Sequence, residues 1–113
     1  MTQRSALGRP SAAPAPPSAP TLDDLRRRRD EILDIAAAHG AHHIRVFGSV
    51  ADGRARPDSD VDFLVDFEPG RTVLDLSALI LDLEEALGRT VDVVETRSLL
   101  PAAERIRREA VPL

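Results

Sequence analysis

The segment "DVDFLVDF" at residues 60–67, in which aspartates and apolar residues largely alternate, most strongly constrains how this chain can fold. A period of two is typical of a β-strand, whose successive side chains point to opposite faces of a sheet. The apolar face of this predicted strand consists of Val61, Phe63, Val65 and Phe67. The other face consists of Asp60, Asp62, Leu64 and Asp66. A sheet built around this strand therefore needs an apolar layer on one side and presents carboxylates on the other.

Two helices are predicted, one before this strand and one after it, from their caps and apolar spacing. Thr21 and Thr72 each stand three residues before an aspartate, close to the pattern of a capping box at a helix N-terminus. Apolar residues at three- and four-residue spacings follow each cap. The patterns stop at Gly40 and Gly88, because glycine is favoured just past a helix end. We therefore predict one continuous helix up to Gly40 and another up to Gly88.

Two further strands and a last helix complete the prediction. "HHIRVFG" at residues 42–48 and "TVDVVE" at residues 90–95 are short apolar segments typical of strands. "PAAERIRREA" at residues 101–110 begins with a proline that suits the first turn of a helix. The alternation of helices and strands predicts an α/β (α+β) domain, in which helices cover one side of a small mixed sheet.

Composition limits the domain organisation and the classes of partner. The 113 residues leave room for one small domain, and residues 1–20, rich in Ala, Pro and Ser, are predicted to be a disordered extension before a domain at residues 21–113. The absence of cysteine excludes disulfides and thiolate chemistry. The net charge of −4 and the scarcity of aromatic residues argue against direct nucleic-acid binding. No apolar run approaches the ~20 residues of a membrane-spanning helix, so we expect no membrane contact and a cytoplasmic location.

Three aspartates are predicted to form a metal site. Asp60 and Asp62 lie on one strand face with Cα atoms ~6.5–7 Å apart, a spacing at which both can reach one hard cation or bridge two. Asp92 stands alone among valines in the third strand, so we expect it to be half-buried and to need a partner. Clustered carboxylates without a cation would raise one another's pKa and destabilise the fold. A divalent metal held by these three residues would resolve that conflict.

A Gly-Ser pair at the end of the first strand predicts a phosphate site. Gly48 permits close approach of the backbone, and Ser49 adds a hydroxyl at a predicted helix N-terminus, where exposed amides favour an anion. Arg54 and Arg56 in the following loop can reach a polyphosphate. A phosphate site beside a carboxylate–metal site is the minimal equipment for phosphoryl or nucleotidyl transfer.

The whole stretch "GSVADGRARPDSDVDFLVDF" resembles the Gly-Ser…Asp-x-Asp signature of the polymerase-beta-type nucleotidyltransferase superfamily. It is most similar to the minimal nucleotidyltransferases (MNT), the antitoxin partners of HEPN-domain ribonuclease toxins. "LEEALGRTVDVVE" and "RIRREAVPL" resemble that family's third-carboxylate strand and C-terminal helix, so the likeness covers residues 21–113. The resemblance implies the nucleotidyltransferase fold.

The resemblance also implies roles for individual residues. Gly48 and Ser49 would hold the triphosphate of ATP. Asp60 and Asp62 would ligate two Mg²⁺ ions. Asp92 would complete one metal site and help deprotonate the acceptor, a tyrosine hydroxyl of the HEPN toxin that receives AMP as pyrophosphate leaves. Because this chain contains no Tyr, we expect the acceptor to belong to another molecule, and we expect toxin and antitoxin to form a hetero-oligomer.

One position departs from the family pattern. Members commonly read Gly-Ser-x-Ala-Arg-Gly, whereas this chain has Asp52 in place of the arginine. An acidic residue beside a triphosphate would weaken nucleotide affinity, and Arg54 or Arg56 would have to supply the missing cation. An antitoxin that masks its toxin by binding alone is therefore a second hypothesis. A small-molecule nucleotidyltransferase of the aminoglycoside kind is a third, although such enzymes usually carry an extra substrate domain.

Other polar residues are predicted to serve the fold rather than the chemistry. Asp66 is expected at an exposed strand end outside the metal site, and Ser59 is expected in a turn. His42 and His43 are adjacent on a strand and face opposite ways, so they cannot share a set of metal ligands. The arginines at residues 26–29 are interpreted as a solvated or partner-binding surface, because they spread around a helix between acidic residues.

Overall fold

The computed structural model describes residues 18–99 and 101–113. Within these ranges the chain forms five α-helices, four β-strands and two 3₁₀ turns, the latter at Thr96–Ser98 and Pro101–Ala103. The helices are α1 (Leu22–Arg27), α2 (Arg29–Ala38), α3 (Gly48–Asp52), α4 (Val73–Leu87) and α5 (Glu104–Glu109). The strands are β1 (Ala41–Phe47), β2 (Val61–Phe67), β3 (Val91–Glu95) and β4 (Val111–Pro112). The predicted alternation of helices and strands is therefore present.

The four strands form one mixed sheet in the order β3-β2-β1-β4. β1 pairs antiparallel with β2 and with β4, whereas β2 pairs parallel with β3. The strand of alternating aspartates, β2, therefore lies inside the sheet, and β3 and β4 form its edges. A bulge between His42 and Arg45 interrupts β1, and His43 there has a left-handed φ of 55°. The two-residue strand β4 was not predicted, because so short a segment has no periodicity.

The hydrophobic core lies between one face of the sheet and the helices α2 and α4. The predicted apolar face of β2 is buried along its whole length, and Phe63 has no exposed surface. It packs in one cluster with helix residues that include Ile32, Leu79 and Leu83. Full burial of a side chain of this kind contributes about 1.5–3 kcal/mol, so this layer holds the helices against the sheet.

The opposite face of the sheet is closed at its centre. Leu64 is fully buried there and lies across from Arg45 of β1, which is also buried. The connection from β3 to β4 must cross the sheet, because these strands are its two edges. At the start of that connection, the Thr96 hydroxyl accepts a hydrogen bond from the Arg45 guanidinium at 2.8 Å. The aspartates of β2 therefore flank a buried centre instead of lining an open face.

The first predicted helix is divided into α1 and α2 at Arg28. This residue has φ −107° and ψ 20°, and its guanidinium donates to the Ala86 carbonyl of α4 at 2.6 Å. Six residues without an apolar side chain separate Leu25 from Ile32, so no continuous apolar stripe keeps the segment straight. The prediction of one continuous helix was therefore wrong at this point.

The arginines at residues 26–29 take part in the fold. Arg26 donates to the Pro112 carbonyl at 2.8 Å and thereby joins α1 to β4. Arg28 pairs with Glu31 at 2.8 Å in addition to its contact with α4. At least these two arginines therefore hold segments of the chain together, which the prediction of a solvated surface did not include.

The N-terminal prediction is only partly covered by the structure. A disordered extension was predicted for residues 1–20, of which residues 1–17 lie outside the described residues. Residues 18–20 run along the folded domain, where Pro20 is buried and the Ser18 carbonyl accepts a hydrogen bond from Arg89 at 2.6 Å. None of the helices in the described ranges has the length and hydropathy needed to span a bilayer.

We expect Thr72→Ala to destabilise the domain by about 1 kcal/mol. Thr72 and Asp75 form the predicted capping box of α4: the Leu74 N–H donates to the Thr72 hydroxyl at 3.2 Å, and the Thr72 N–H donates to the Asp75 carboxylate at 2.7 Å. Urea unfolding followed by circular dichroism measures the loss. Ser77→Ala, at an exposed position of the same helix, is the control and should change stability by less than about 0.5 kcal/mol. Equal losses in the two variants would contradict the capping role.

Candidate active site

The parallel pairing of β2 with β3 places two of the predicted carboxylates side by side. Asp62 lies directly opposite Asp92 in the strand register, and Asp60 immediately precedes β2. Burial raises the pKa of Asp62 to about 6, and the negative charges of Asp92 and Asp60 add to the rise. The structure therefore brings together the three aspartates that the sequence predicted as one set.

Asp92 is more exposed than the sequence predicted. Val91 and Val93 on either side are buried against the helices, while the Asp92 side chain is exposed. Among the described residues no strand lies beyond β3, which is an edge of the sheet. The prediction that Asp92 is half-buried was therefore wrong, and it is the central carboxylate, Asp62, that is partly withdrawn from water.

The chemistry of this carboxylate set fits a hard divalent cation such as Mg²⁺, which prefers oxygen ligands. Each influence that acts on Asp62 favours its neutral form, and a cation beside it would reverse that effect. In the described ranges no three His, Cys, Asp or Glu side chains are grouped closely enough to form a ready metal site. Metal binding would therefore require the three aspartates to turn toward a common point.

The Gly-Ser pair stands at the end of β1, next to the central carboxylate. Phe47, the last residue of β1, pairs with Asp62, and Gly48 then begins α3. Gly48 has a φ of 76°, a left-handed conformation that favours glycine, and a Cβ built there would overlap the Oδ2 of Asp62. Ser49 follows in the first turn of α3. The glycine thus lets the backbone turn directly against the Asp62 carboxylate.

The two predicted phosphate-binding arginines lie in the exposed loop after α3. Arg54 pairs with Asp52 at 2.6 Å. The hydrogen bond and negative charge of Asp52, with a smaller effect of Glu109, raise the pKa of Arg54. The negative charge of Asp52, the last residue of α3, is therefore balanced by Arg54. The same ion pair engages a guanidinium that was predicted to bind phosphate. Arg56 is exposed, and its backbone N–H donates to the Ser59 hydroxyl at 2.7 Å.

The residues that act on this loop include one that was predicted and one that was not. The Ser59 hydroxyl accepts the Arg56 N–H and closes a turn, which confirms the prediction that Ser59 lies in a turn. Glu109 of α5 was not singled out at all, although its charge acts on Arg54. No local pattern could have found Glu109, because its proximity to the loop depends on how the β3–β4 connection crosses the sheet.

Asp66, further along β2, belongs to a separate cluster around Arg45. Its carboxylate accepts a hydrogen bond from the Arg45 guanidinium at 3.3 Å and lies 3.0 Å from the Nδ1 of His43. Burial alone would raise the pKa of Asp66, but hydrogen bonds with Thr96 and His43 and the charge of Arg45 lower it below the usual value. The prediction of a simple exposed strand end was wrong, because Asp66 helps to hold a buried arginine.

We expect Gly48→Ala to destabilise the protein more than Gly53→Ala. Both glycines have left-handed φ angles, 76° and 74°, so both variants lose about 1–2 kcal/mol through backbone strain. Only the Cβ at Gly48 meets the Asp62 carboxylate, whereas a Cβ at Gly53 meets no atom of the described residues within 4 Å. Thermal unfolding of the two variants measures the difference. Equal losses would show that Asp62 does not pack against Gly48.

We expect the stability of the metal-free protein, relative to its Asp62→Asn variant, to fall as pH rises from 3.8 to about 6. The pKa of Asp62 is raised in the folded state, so the folded protein binds more protons than the unfolded chain in this window. The stabilising contribution of protonated Asp62 is fully present below pH 3.8 and is lost as pH passes about 6. Urea unfolding at closely spaced pH values, without divalent cations, measures the difference.

The control for this experiment is Asp34→Asn, which removes an exposed carboxyl of α2. The stability of Asp34→Asn, measured relative to Asp62→Asn, should fall with rising pH by the same amount as that of the wild-type protein. A difference between wild type and Asp62→Asn that does not vary with pH would contradict the raised pKa.

Comparison with known proteins identifies the family of this chain. Residues 29–112 match the family described as the nucleotidyltransferase domain. The chain is 38% identical over 91 residues to a provisionally named protein adenylyltransferase of Methanocaldococcus jannaschii, a match that covers 80% of this chain and 95% of that protein. It is 42% identical over 91 residues to the protein adenylyltransferase MntA of Thermococcus cleftensis, covering 73% of this chain and 92% of that protein.

Solved structures share the fold. One, provisionally described as a minimal nucleotidyltransferase, is 54% identical and has a TM-score of 0.74, covering 82% of this chain and 96% of the other. A toxin–antitoxin crystal structure with AMP-PNP is 22% identical and has a TM-score of 0.64, covering 74% of this chain and 69% of the other, and this likeness extends to the fold alone. The resemblance to minimal nucleotidyltransferases is thus confirmed, and the chain belongs to the nucleotidyltransferase domain family.

Proposed function

We propose that this chain is a Mg²⁺-dependent protein adenylyltransferase that transfers AMP from ATP to a tyrosine hydroxyl of a HEPN-type toxin and thereby acts as its antitoxin. The observation that carries the proposal is the position of Asp62, which adjoins Asp60, Asp92 and the turn at Gly48. This arrangement sets a group of carboxylate oxygens beside the backbone turn that begins α3. Two relatives named as protein adenylyltransferases support AMP transfer as the reaction.

The nucleotide would bind between the carboxylates and the loop after α3. Mg²⁺ held by the three aspartates would offset the negative charge of the triphosphate. Gly48 lets the backbone turn against the Asp62 carboxylate, and the Ser49 hydroxyl that follows can donate a hydrogen bond to a phosphate oxygen. Arg54 and Arg56 supply guanidinium donors that can hold phosphate oxygens in pairs.

The transfer step needs a nucleophile from outside and a proton acceptor within the site. The acceptor hydroxyl oxygen attacks the α-phosphorus of ATP, and a new oxygen–phosphorus bond forms as the bond to the bridging oxygen breaks and pyrophosphate leaves. Asp92 accepts the hydroxyl proton, because its exposed carboxylate on an edge strand can be reached by a partner's side chain. The protein contributes mainly orientation and charge compensation.

The acceptor belongs to another molecule, because this chain contains no Tyr. A toxin–antitoxin pair is among the solved structures with this fold. The choice of a HEPN toxin and of its tyrosine rests on the sequence resemblance to minimal nucleotidyltransferases.

A non-catalytic antitoxin that neutralises its toxin by binding is the second candidate. It is favoured by the ion pair between Asp52 and Arg54, which engages one of the two predicted phosphate-binding arginines. Both partners of that pair are exposed, and exposed ion pairs are weak. A triphosphate can therefore compete with Asp52 for the guanidinium, and adenylyl transfer remains the leading proposal.

We expect AMP to pass from ATP labelled at the α-phosphate to a tyrosine of the partner toxin when this protein, the toxin and Mg²⁺ are incubated together. Asp60→Asn/Asp62→Asn should lower the rate of transfer by about 100-fold or more, because it removes two of the three carboxylates. Chelation of Mg²⁺ should stop the reaction. Mass spectrometry of toxin peptides locates the label.

Asp34→Asn, which neutralises an exposed carboxyl of α2, is the matched control and should keep the wild-type rate. Neutralisation of the toxin distinguishes the two candidates. If the wild-type protein transfers no label and the double variant still neutralises the toxin, the enzymatic proposal is wrong and the binding antitoxin is correct.

A further inference from the structure

The loop at residues 53–60 is anchored at its start, where the Arg54 N–H donates to the Ser49 carbonyl of α3 at 2.9 Å and Ala55 packs against the core. It carries Arg54 and Arg56, ends at Asp60, and is exposed over most of its length. Two internal hydrogen bonds close a turn, from the Arg56 N–H to the Ser59 hydroxyl at 2.7 Å and from the Ser59 N–H to the Arg56 carbonyl at 2.9 Å. These bonds set the shape of the turn but not its position relative to the sheet.

An open cleft of about 410 Å³ separates this turn from the end of α4 and the start of β3. The residues that line it are Pro57, Asp58, Ser59, Glu84, Gly88, Arg89 and Thr90. Close packing does not support the turn on this side, so polar contacts across the cleft help to fix its position.

Arg89 makes such a contact. Its Nη1 donates to the Pro57 carbonyl at 2.9 Å, and its Nη2 donates to the Ser18 carbonyl at 2.6 Å. A planar guanidinium can hold two carbonyls at fixed angles, which the single ammonium of a lysine does less well. Gly88, with a left-handed φ of 67°, ends α4. Arg89 follows it directly and precedes Asp92 of β3 by three residues.

We propose that Arg89 is a positioning residue for nucleotide binding, which sets the distance between the arginine loop and the carboxylates by holding Pro57. The inference rests on the proposed adenylyltransferase function. Asp62 and Asp92 are kept in register by strand pairing, independently of this contact. Loss of Arg89 should therefore act on the loop, and raise KM for ATP more than it lowers kcat.

Trypsin digestion of the native protein tests the tether without any enzymatic assay. The bond after Arg54 lies in the loop, and its cleavage requires local opening. The bond after Arg56 precedes proline and is a poor trypsin site, so the cleavage product identifies Arg54. Removal of one hydrogen-bonding side chain in Arg89→Ala should speed this cleavage about two- to tenfold.

Kinetics with ATP test the effect on the nucleotide. Arg89→Ala should raise KM for ATP about two- to tenfold, and Arg89→Lys, which keeps the charge without the planar fork, should fall between it and wild type. Arg26→Ala is the matched control, because Arg26 also donates to a distant carbonyl, that of Pro112 at the other edge of the sheet. This control should keep the wild-type KM and the wild-type cleavage rate at Arg54.

Two results would overturn the proposal. Unchanged cleavage at Arg54 in Arg89→Ala would show that Arg89 does not hold the loop. Faster cleavage with an unchanged KM for ATP would show that the position of the loop does not affect nucleotide binding. If the wild-type protein transfers no AMP, calorimetric titration with Mg²⁺ and ATP replaces KM with a Kd, so that failure of the proposed reaction is distinguished from failure of the tether.

Discussion

The partial burial of Asp62 beside two other carboxylates is the constraint to which the rest of the site is adapted. The parallel register holds Asp62 opposite Asp92, and partial burial inside the sheet raises the pKa of Asp62 to about 6. On its own this arrangement opposes folding. It is offset by the neighbouring residues of the same strand, since Val61 and Phe63 are fully buried against the helices. Alternate residues of one strand thus serve as proposed metal ligands and as core residues.

Arginine side chains join segments that hydrophobic packing alone does not hold. Arg26, Arg28 and Arg89 each donate to a carbonyl far away in the sequence, and Arg45 is buried with hydrogen bonds to Asp66 and Thr96. A domain of this size has a small core, so its peripheral segments need other contacts. The guanidinium group suits this task because several donors lie in one rigid plane.

The charges around the site suit the proposed ATP together with its proposed Mg²⁺ better than either one alone. The aspartates of β2 and β3 would repel a bare triphosphate, and the arginines of the loop would repel a bare cation. A Mg²⁺-bound triphosphate presents both signs of charge, the cation toward the carboxylates and the phosphates toward the guanidinium groups. Before a nucleotide binds, Asp52 neutralises Arg54 at 2.6 Å, so the acidic residue that departs from the family pattern does not leave an unpaired charge.

The alternation in residues 60–67, the two capping boxes, the Gly-Ser turn and the lone aspartate of "TVDVVE" were enough to predict the α/β fold and to select Asp60, Asp62 and Asp92 as candidates. These features depend on side-chain periodicity and on hydrogen bonds between residues three positions apart, which are visible in the chain itself. The sequence by itself therefore determined which residues share a strand face.

Only the tertiary structure decided which of those faces become neighbours. The exposure of Asp92 follows from the position of β3 at an edge, and the contacts of Asp66 with Arg45 and of Arg89 with Pro57 join residues 21 and 32 positions apart. A period of two specifies the side of a sheet on which a residue lies, but it contains no information on strand order or register. Strand order and register arise from the packing of the whole chain, so the neighbours of each aspartate and arginine could be known only from the folded protein.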